Sequence, residues 1–500
     1  MAQERLSTGK LIAFAGPAIP IAALGLPLSV FIPQFFAGPM GLGLGVVGTI
    51  FMIARFWDVI TDPVMGAVSD QISSKWGRRR HWIVISVPIL LLSVVMIFLP
   101  SKANVSPGYL FGWLILLYVG WTMLTLSHLS WGAELDDDYN QRSRIQGFRE
   151  GFAILGIPLV MLIPVAIEFL SGLDHALPPF LDTIVTFTIG LLPDSYVTAE
   201  GETDLLPTQV GAMGWFVIVL LPLAVGLAIL RMDERPEFKN ANRPVRDEIK
   251  GVLKRLSFKR IRAALVPLKS NHALQRVVAS DFFSGFAGAS LGTMFLYEVR
   301  YVWDIDDWAG RLLLLYFIAG VGFVPILLKL SYRIGKHKAL VAAAGFNVCF
   351  VPLILLLPPG EPLLASAMLV FLGVNVGSVT ILYRAIMADV GDLDEVETGQ
   401  RRTGLFYSLL TFTQKTGGAI AVGVVFWTLQ TIGFQPSGEN TEEAIRGLSY
   451  LFVGIPFTCN LIVVLLMWGF PIDLEKQKEL RRIIDERKVE EWESDQRPIL

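Results

Sequence analysis

Apolar runs of membrane-spanning length recur along this chain from one end to the other, and little else constrains its fold as strongly. Length and flanking punctuation give about twelve of them: 11–37, 44–69, 81–99, 109–133, 149–170, 212–231, 276–300, 310–330, 339–357, 362–388, 403–432 and 447–470. Of the 500 residues, 53% are hydrophobic and 17% charged, where a soluble domain carries about 25% charged residues. The mean hydropathy is +0.56. The expectation is an all-α polytopic membrane protein of twelve transmembrane helices.

Charge is sorted by loop, so the formal net charge of −2 carries no message of its own. Lys75, Arg78, Arg79 and Arg80 follow the second run, Arg333, Lys336 and Lys338 follow the eighth, and bases crowd 232–275 from Arg235 to Lys269. The stretch 171–211 has no Lys or Arg, only acids such as Asp174, Asp194 and Glu200. The basic loops are even numbers of spans apart, which puts them and both termini on the cytoplasmic side of a plasma (inner) membrane. The first run reads as a retained helix rather than a signal peptide. The expected layout is a six-helix bundle over 1–231, a basic cytoplasmic linker over 232–275, a second bundle over 276–470 and a charged tail over 471–500. Within the linker, Val245–Leu265 reads as a surface helix on anionic lipid, which explains its bases better than nucleic acid does. The tail, with Glu475, Lys476, Lys478, Glu479, Arg481 and Arg482, reads as a solvated helix.

The halves echo each other. After the fourth run come Glu134-Leu-Asp136-Asp-Asp138 and then Arg142 and Arg144; after the tenth come Asp389, Asp392 and Asp394 and then Arg401 and Arg402. Lys75 to Arg79 after the second run answers Lys336 to Lys338 after the eighth. Two echoes six spans apart imply two related six-helix bundles, the parallel repeat of major facilitator transporters. Arg78, Arg79, Glu134, Asp138, Arg142, Asp389 and Arg401 are therefore candidates for a cytoplasmic gate.

Few ionisable residues fall deep within the runs. Asp58 and Asp62 are four apart and share one helix face, with Arg55 a turn earlier. A carboxylate near mid-bilayer costs roughly 2.5–3.5 kcal/mol even on lenient scales, so the pair needs partners. It is either half of a structural salt bridge or a cation site. Lys415, near the middle of the eleventh run, is the natural charge partner, with Arg55 the second. Two acids against one ammonium leave about one negative charge for a monovalent cation to neutralise. Arg149 faces a cavity or caps the cytoplasmic cluster. His128 is a packing residue or a proton carrier. Trp131 and Tyr407 are packing residues or sugar platforms. Asp281 and Glu298 read as polar lining. Cys349 and Cys459 lie in apolar runs and read as small packing residues. No nucleotide-binding glycine loop, catalytic triad or metal-ligand spacing is present, so neither ATP drive nor an enzyme is supported.

Arg55-Phe-Trp-Asp58-Val-Ile-Thr-Asp62-Pro63-Val-Met-Gly66, continued by Ser74-Lys-Trp-Gly77-Arg-Arg-Arg-His-Trp82, resembles the signature of the glycoside–pentoside–hexuronide:cation symporters, the melibiose-permease-like branch of the major facilitator superfamily. The acidic clusters and the stretch from Tyr407 to Lys415-Thr-Gly-Gly418 are similar as well. The resemblance implies alternating access around a central cavity. It implies Asp58 and Asp62 as cation carboxylates, Lys415 as the lysine touching them, and Arg149 as a cavity arginine. The family's sugar-binding acid on the first span has no counterpart in Pro20-Ile-Ala-Ala23, and its fourth-span acid is replaced by the hydroxyls Thr122, Thr125 and Ser127. Thr125 is taken into the cation site on that ground, and Arg149, Lys415, His128, Trp131 and Tyr407 are the candidate solute contacts. The functional expectation is symport of a small polar solute, a sugar or glycoside, with Na⁺ or H⁺. No cofactor is expected beyond that ion, the partners are solute and lipid, and the chain is monomeric. The alternatives are a lysolipid carrier of the same fold and a non-transporting sensor or scaffold.

Overall fold

The computed structural model describes residues 6–72, 74–136, 138–171, 205–234, 271–400 and 402–495. Among the described residues twelve long helices follow in order: α1 Thr8–Ala37, α2 Leu44–Gln71, α3 Arg80–Phe98, α4 Pro107–Glu134, α5 Tyr139–Ser171, α6 Leu205–Arg231, α7 His272–Tyr297, α8 Ala309–Ile334, α9 Lys336–Phe350, α10 Pro362–Thr398, α11 Thr403–Thr431 and α12 Glu442–Met467. The tail forms α13, Leu474–Asp495. Eleven of the twelve are both long and apolar enough to cross a membrane. The exception, α7, has the length at 26 residues, but Arg276, Asp281 and several serines dilute its apolarity. Most of the linker, and with it Val245–Leu265, lies outside the described residues, as do 172–204 and Arg401.

Helix boundaries follow local chemistry. The Ser106 hydroxyl accepts the Tyr109 N–H at 3.2 Å ahead of Pro107, which starts α4. The Asp138 carboxylate accepts the Gln141 N–H at 2.9 Å, so α5 begins about ten residues before its apolar stretch. At the other extreme α10 runs past its apolar part to Thr398 and stops at Gly399, a left-handed C-cap. Its acidic cluster is therefore helical.

By contact the chain forms two units: Met1–Phe258 with Gly292–Leu314 and Val422–Leu448, and Lys259–Leu291 with Leu315–Ala421 and Ser449–Leu500. In the first, α4 packs on α2 and α3, α1 on α5 and α6, and α6 on α3 and α5. The ends of α7, α8, α11 and α12 join that unit. Gln34 of α1 donates to the Thr293 carbonyl of α7 at 2.9 Å, and Trp427 of α11 donates to Thr49 of α2 at 3.0 Å. Glu168 of α5 caps α8, accepting the Gly310 N–H at 2.6 Å and the Arg311 N–H at 3.3 Å. Gln209 of α6 donates to the same carboxylate at 3.2 Å. A side chain at position 310 would collide with it, since a Cβ there would lie 2.7 Å from Glu168 Oε1.

In the second unit α10 packs against α9 and α13. The tail departs from the solvated helix its charges suggest. Leu480 is 1% and Ile484 4% exposed, Leu480 belonging to the same core as Met387 and Val390. Arg481 pairs with Asp392 at 2.9 Å. An apolar pair at i and i+4 makes one face of a charged helix bury itself.

Candidate functional site

Asp58 and Asp62 lie one turn apart on α2, as their spacing requires, and Asp58 is 4% exposed. The group between them comes from α4. Thr122 Oγ1 stands 3.1 Å from Asp58 Oδ1 and 2.9 Å from Asp62 Oδ1. A hydroxyl has one proton to donate and lone pairs to spare, so a single threonine bridges two acids and offers its oxygen to the same space. Tyr118, Thr122 and Thr125 follow one another at i, i+4 and i+7 on α4 and share a stripe. The hydroxyls of Tyr118 and Thr125 are buried and have no hydrogen-bond partner among the described residues. The Arg55 guanidinium lies 5.1 Å above the Tyr118 ring, a cation–π contact in a buried setting. Carboxylate and hydroxyl oxygens of this kind are the donors a hard monovalent cation takes.

Among the described residues of α4, the hydroxyl bonded to the carboxylates is that of Thr122, one turn from the Thr125 expected there. The two share a helix face, and spacing alone does not say which stands level with α2. Lys415 lies half-buried on α11, in the second unit. Arg149 donates to Gln146 Oε1 at 3.1 Å and pairs with its neighbour Glu150. His128 donates from Nε2 to the Phe14 carbonyl at 2.7 Å, and its ring lies 4.7 Å from that of Phe14. Trp131 is fully buried against the same phenylalanine. Both are therefore held in the α1–α4 contact. Tyr407 donates to the Arg384 carbonyl at 2.9 Å and ties α11 to α10.

The described gate candidates fall in both units. In the first, Arg79 is 3% exposed and donates to Asp70 at 2.6 Å, Ser69 at 2.8 Å and Glu134 at 2.8 Å, while Arg78 also pairs with Glu134. Burial works to lower the Arg79 pKa, but hydrogen bonds and charge from Glu134 and Asp70 outweigh it, and the net direction is upward. Behind them Glu234, just past α6, accepts the N–H groups of Arg78, Arg79 and Arg80 at 2.8, 2.9 and 3.3 Å. Burial pushes the Glu234 carboxyl up, against the pull of those three donors. Gly77 makes this possible: its φ is +117°, and a Cβ there would sit 1.9 Å from Glu234 Oε2. Asp138 caps α5, and Arg142 donates to the Asp136 carbonyl at 2.5 Å.

In the second unit Lys336 donates to Asp389 at 2.7 Å and Arg402 to Asp394 at 2.8 Å. Hydrogen bonding to Asp394 raises the Arg402 pKa. The base that follows the second or eighth helix therefore has a matching bond in each unit: it holds an acid at the end of the fourth helix or within the tenth. Asp70 and Glu234 escaped the sequence reading, although Glu234 directly follows the sixth apolar run.

Residues 13–474 match the family described as MFS/sugar transport protein. The chain belongs to that family. The glucuronide carrier protein homolog of Escherichia coli is 21% identical, with 92% of each chain covered. The sodium-dependent lysophosphatidylcholine symporter 1 of Gallus gallus is 23% identical over 98% of this chain and 91% of its own. Among solved structures, the nucleoside transporter NupG superposes with a TM-score of 0.61 at 11% identity, covering 93% of this chain and 100% of its own, a likeness of fold. The twelve-helix major facilitator expectation is borne out. This family member is an integral membrane transporter rather than an enzyme.

Proposed function

We propose that the protein is a cation-coupled symporter of a small polar solute, a sugar or glycoside, working by alternating access with its termini in the cytoplasm. The observation carrying this reading is the Thr122 hydroxyl bridging Asp58 and Asp62. Two acids and one hydroxyl on facing helices hold more negative charge and oxygen than a single structural ion pair needs. A monovalent cation, Na⁺ or H⁺, relieves the repulsion between the acids and biases the state that receives solute.

Lys415 is proposed as the balancing charge. Within the first unit α2 and α11 run antiparallel, one residue for one: Trp427 on Thr49, Phe426 beside Gly48, Gly423 beside Met52. The alternating-access reading is supported by Gln34, Thr49 and Glu168, each of which bonds a helix of the first six to one of the second six. Such contacts must part once per cycle for solute to enter from that end.

A second reading, a lysolipid cargo, is favoured by the missing acid at Pro20–Ala23 and by the avian relative named for lysophosphatidylcholine. Purified protein in liposomes, offered sugars, glycosides and lysolipids under separate Na⁺ and H⁺ gradients, tests both. Accumulation of a glycoside under one gradient supports the first reading. Accumulation of lysolipid alone transfers the assignment to the second, and no gradient-dependent uptake of any of them sinks the symport proposal.

A further inference from the structure

Inside the second unit, α7 carries an acid that the proposed cation site does not use. Asp281 is 3% exposed, and Thr413 of α11 is its hydrogen-bond partner, with Oγ1 2.9 Å from Asp281 Oδ2. The same Oγ1 lies 3.1 Å from the Leu409 carbonyl and 3.0 Å from that of Leu410. One hydroxyl proton thus faces three acceptors.

The charged and titratable groups around it do not neutralise the acid. Among the described residues Asp281 makes no salt bridge. Arg384 of α10 acts on it through space, from an exposed position. Tyr383 of α10 is buried, but its hydroxyl is already engaged at 2.8 Å by both Ser280 and Ser284. Lys415 is two residues beyond Thr413, a spacing that turns it to another face of α11. A hydrated ion has no room either. The α7 and α11 backbones meet here, such that a Cβ on Gly417 would lie 2.4 Å from the Phe282 carbonyl and one on Gly285 2.8 Å from the Gln414 carbonyl. The guest that fits between two oxygens at 2.9 Å is a proton.

We propose that Asp281 is a proton-binding site of the second unit, separate from the Asp58/Asp62 pair. The carboxyl takes one proton from solvent at Oδ2 and donates it to Thr413 Oγ1, whose own hydrogen turns to the Leu409 or Leu410 carbonyl. On release of the proton to alkaline solvent, Thr413 turns back and donates to the carboxylate. The site thereby couples proton occupancy to the α7–α11 contact, whatever solute the protein carries.

Infrared difference spectroscopy on the purified full-length protein in lipid reads this without a transport assay. The expected result is a protonated-carboxyl C=O band at neutral pH that disappears at alkaline pH and is absent from Asp281→Asn. In Thr413→Val the band remains but shifts to higher frequency, because the acid loses its acceptor; this variant keeps the test alive if Asp281→Asn misfolds. Identical spectra for wild type and Asp281→Asn at neutral pH, or a band indifferent to Thr413→Val, overturn the proposal.

Discussion

Replacing Glu168 by alanine removes the acceptor that holds the start of α8 against α5. Its carboxylate receives two backbone N–H groups, Gly310 at 2.6 Å and Arg311 at 3.3 Å, with the Arg311 guanidinium 4.0 Å away and the glutamate side chain fully buried. A hydrogen bond to a charged group contributes a net 1.5–3 kcal/mol or so. The two share one desolvated carboxylate, so counting both in full overstates them. Taking about 3 kcal/mol for the pair, the closed arrangement loses roughly 100-fold against the open one. The bond from Gln209 is left out of the count, because it joins α6 to α5 and does not hold α8. Amide hydrogen exchange of the segment 306–314 measures the effect, since the first N–H groups of a helix have no partner within it. Exchange at Gly310 and Arg311 accelerates by about two orders of magnitude in Glu168→Ala and by less in Glu168→Gln, which keeps one acceptor oxygen. Unchanged exchange in Glu168→Ala refutes the reasoning, because the carboxylate would then not be what closes this end.

Thr122→Val leaves Asp58 and Asp62 without their shared donor and lowers cation affinity by about tenfold or more, while Thr122→Ser restores it; cation titration of the purified variants decides. Glu234 titrates above its ordinary value of 4.5. The native state therefore holds the proton that the unfolded chain has already lost, and stability falls as pH rises from that value through the raised pKa. Thermal unfolding of Glu234→Gln across that window shows a flatter profile; an unaltered slope would mean another group is responsible. Leu480→Ala creates a cavity beneath α13 and costs roughly 2–5 kcal/mol of local stability, so limited proteolysis removes the tail faster than in Arg481→Ala, whose half-exposed ion pair contributes little.

The helix count was legible because lipid demands long apolar helices. The acid pair was legible for a related reason: Asp58 and Asp62 are conspicuous where charge is expensive, and i, i+4 spacing fixes their common face. What spacing does not encode is the height of one helix against its neighbour, so Thr125 and Thr122 are equivalent in the sequence although Thr122 makes the contact. Glu168 was hidden by distance in the chain. It reads as the polar end of an apolar run until α8, more than a hundred residues on, supplies two unsatisfied N–H groups. The docked tail was legible in principle, but Leu480 and Ile484 are two apolar residues in a strongly charged helix, and composition masked them.

Cation binding to the purified protein, wild type against Asp58→Asn, tests the central claim most directly. Calorimetric titration with Na⁺, and proton uptake measured on acidification, should each be read in both forms. The account predicts saturable occupancy by one of the two cations in wild type and its loss in a folded Asp58→Asn. Undiminished binding by that variant would contradict it, and the driving ion would have to be sought elsewhere in the molecule.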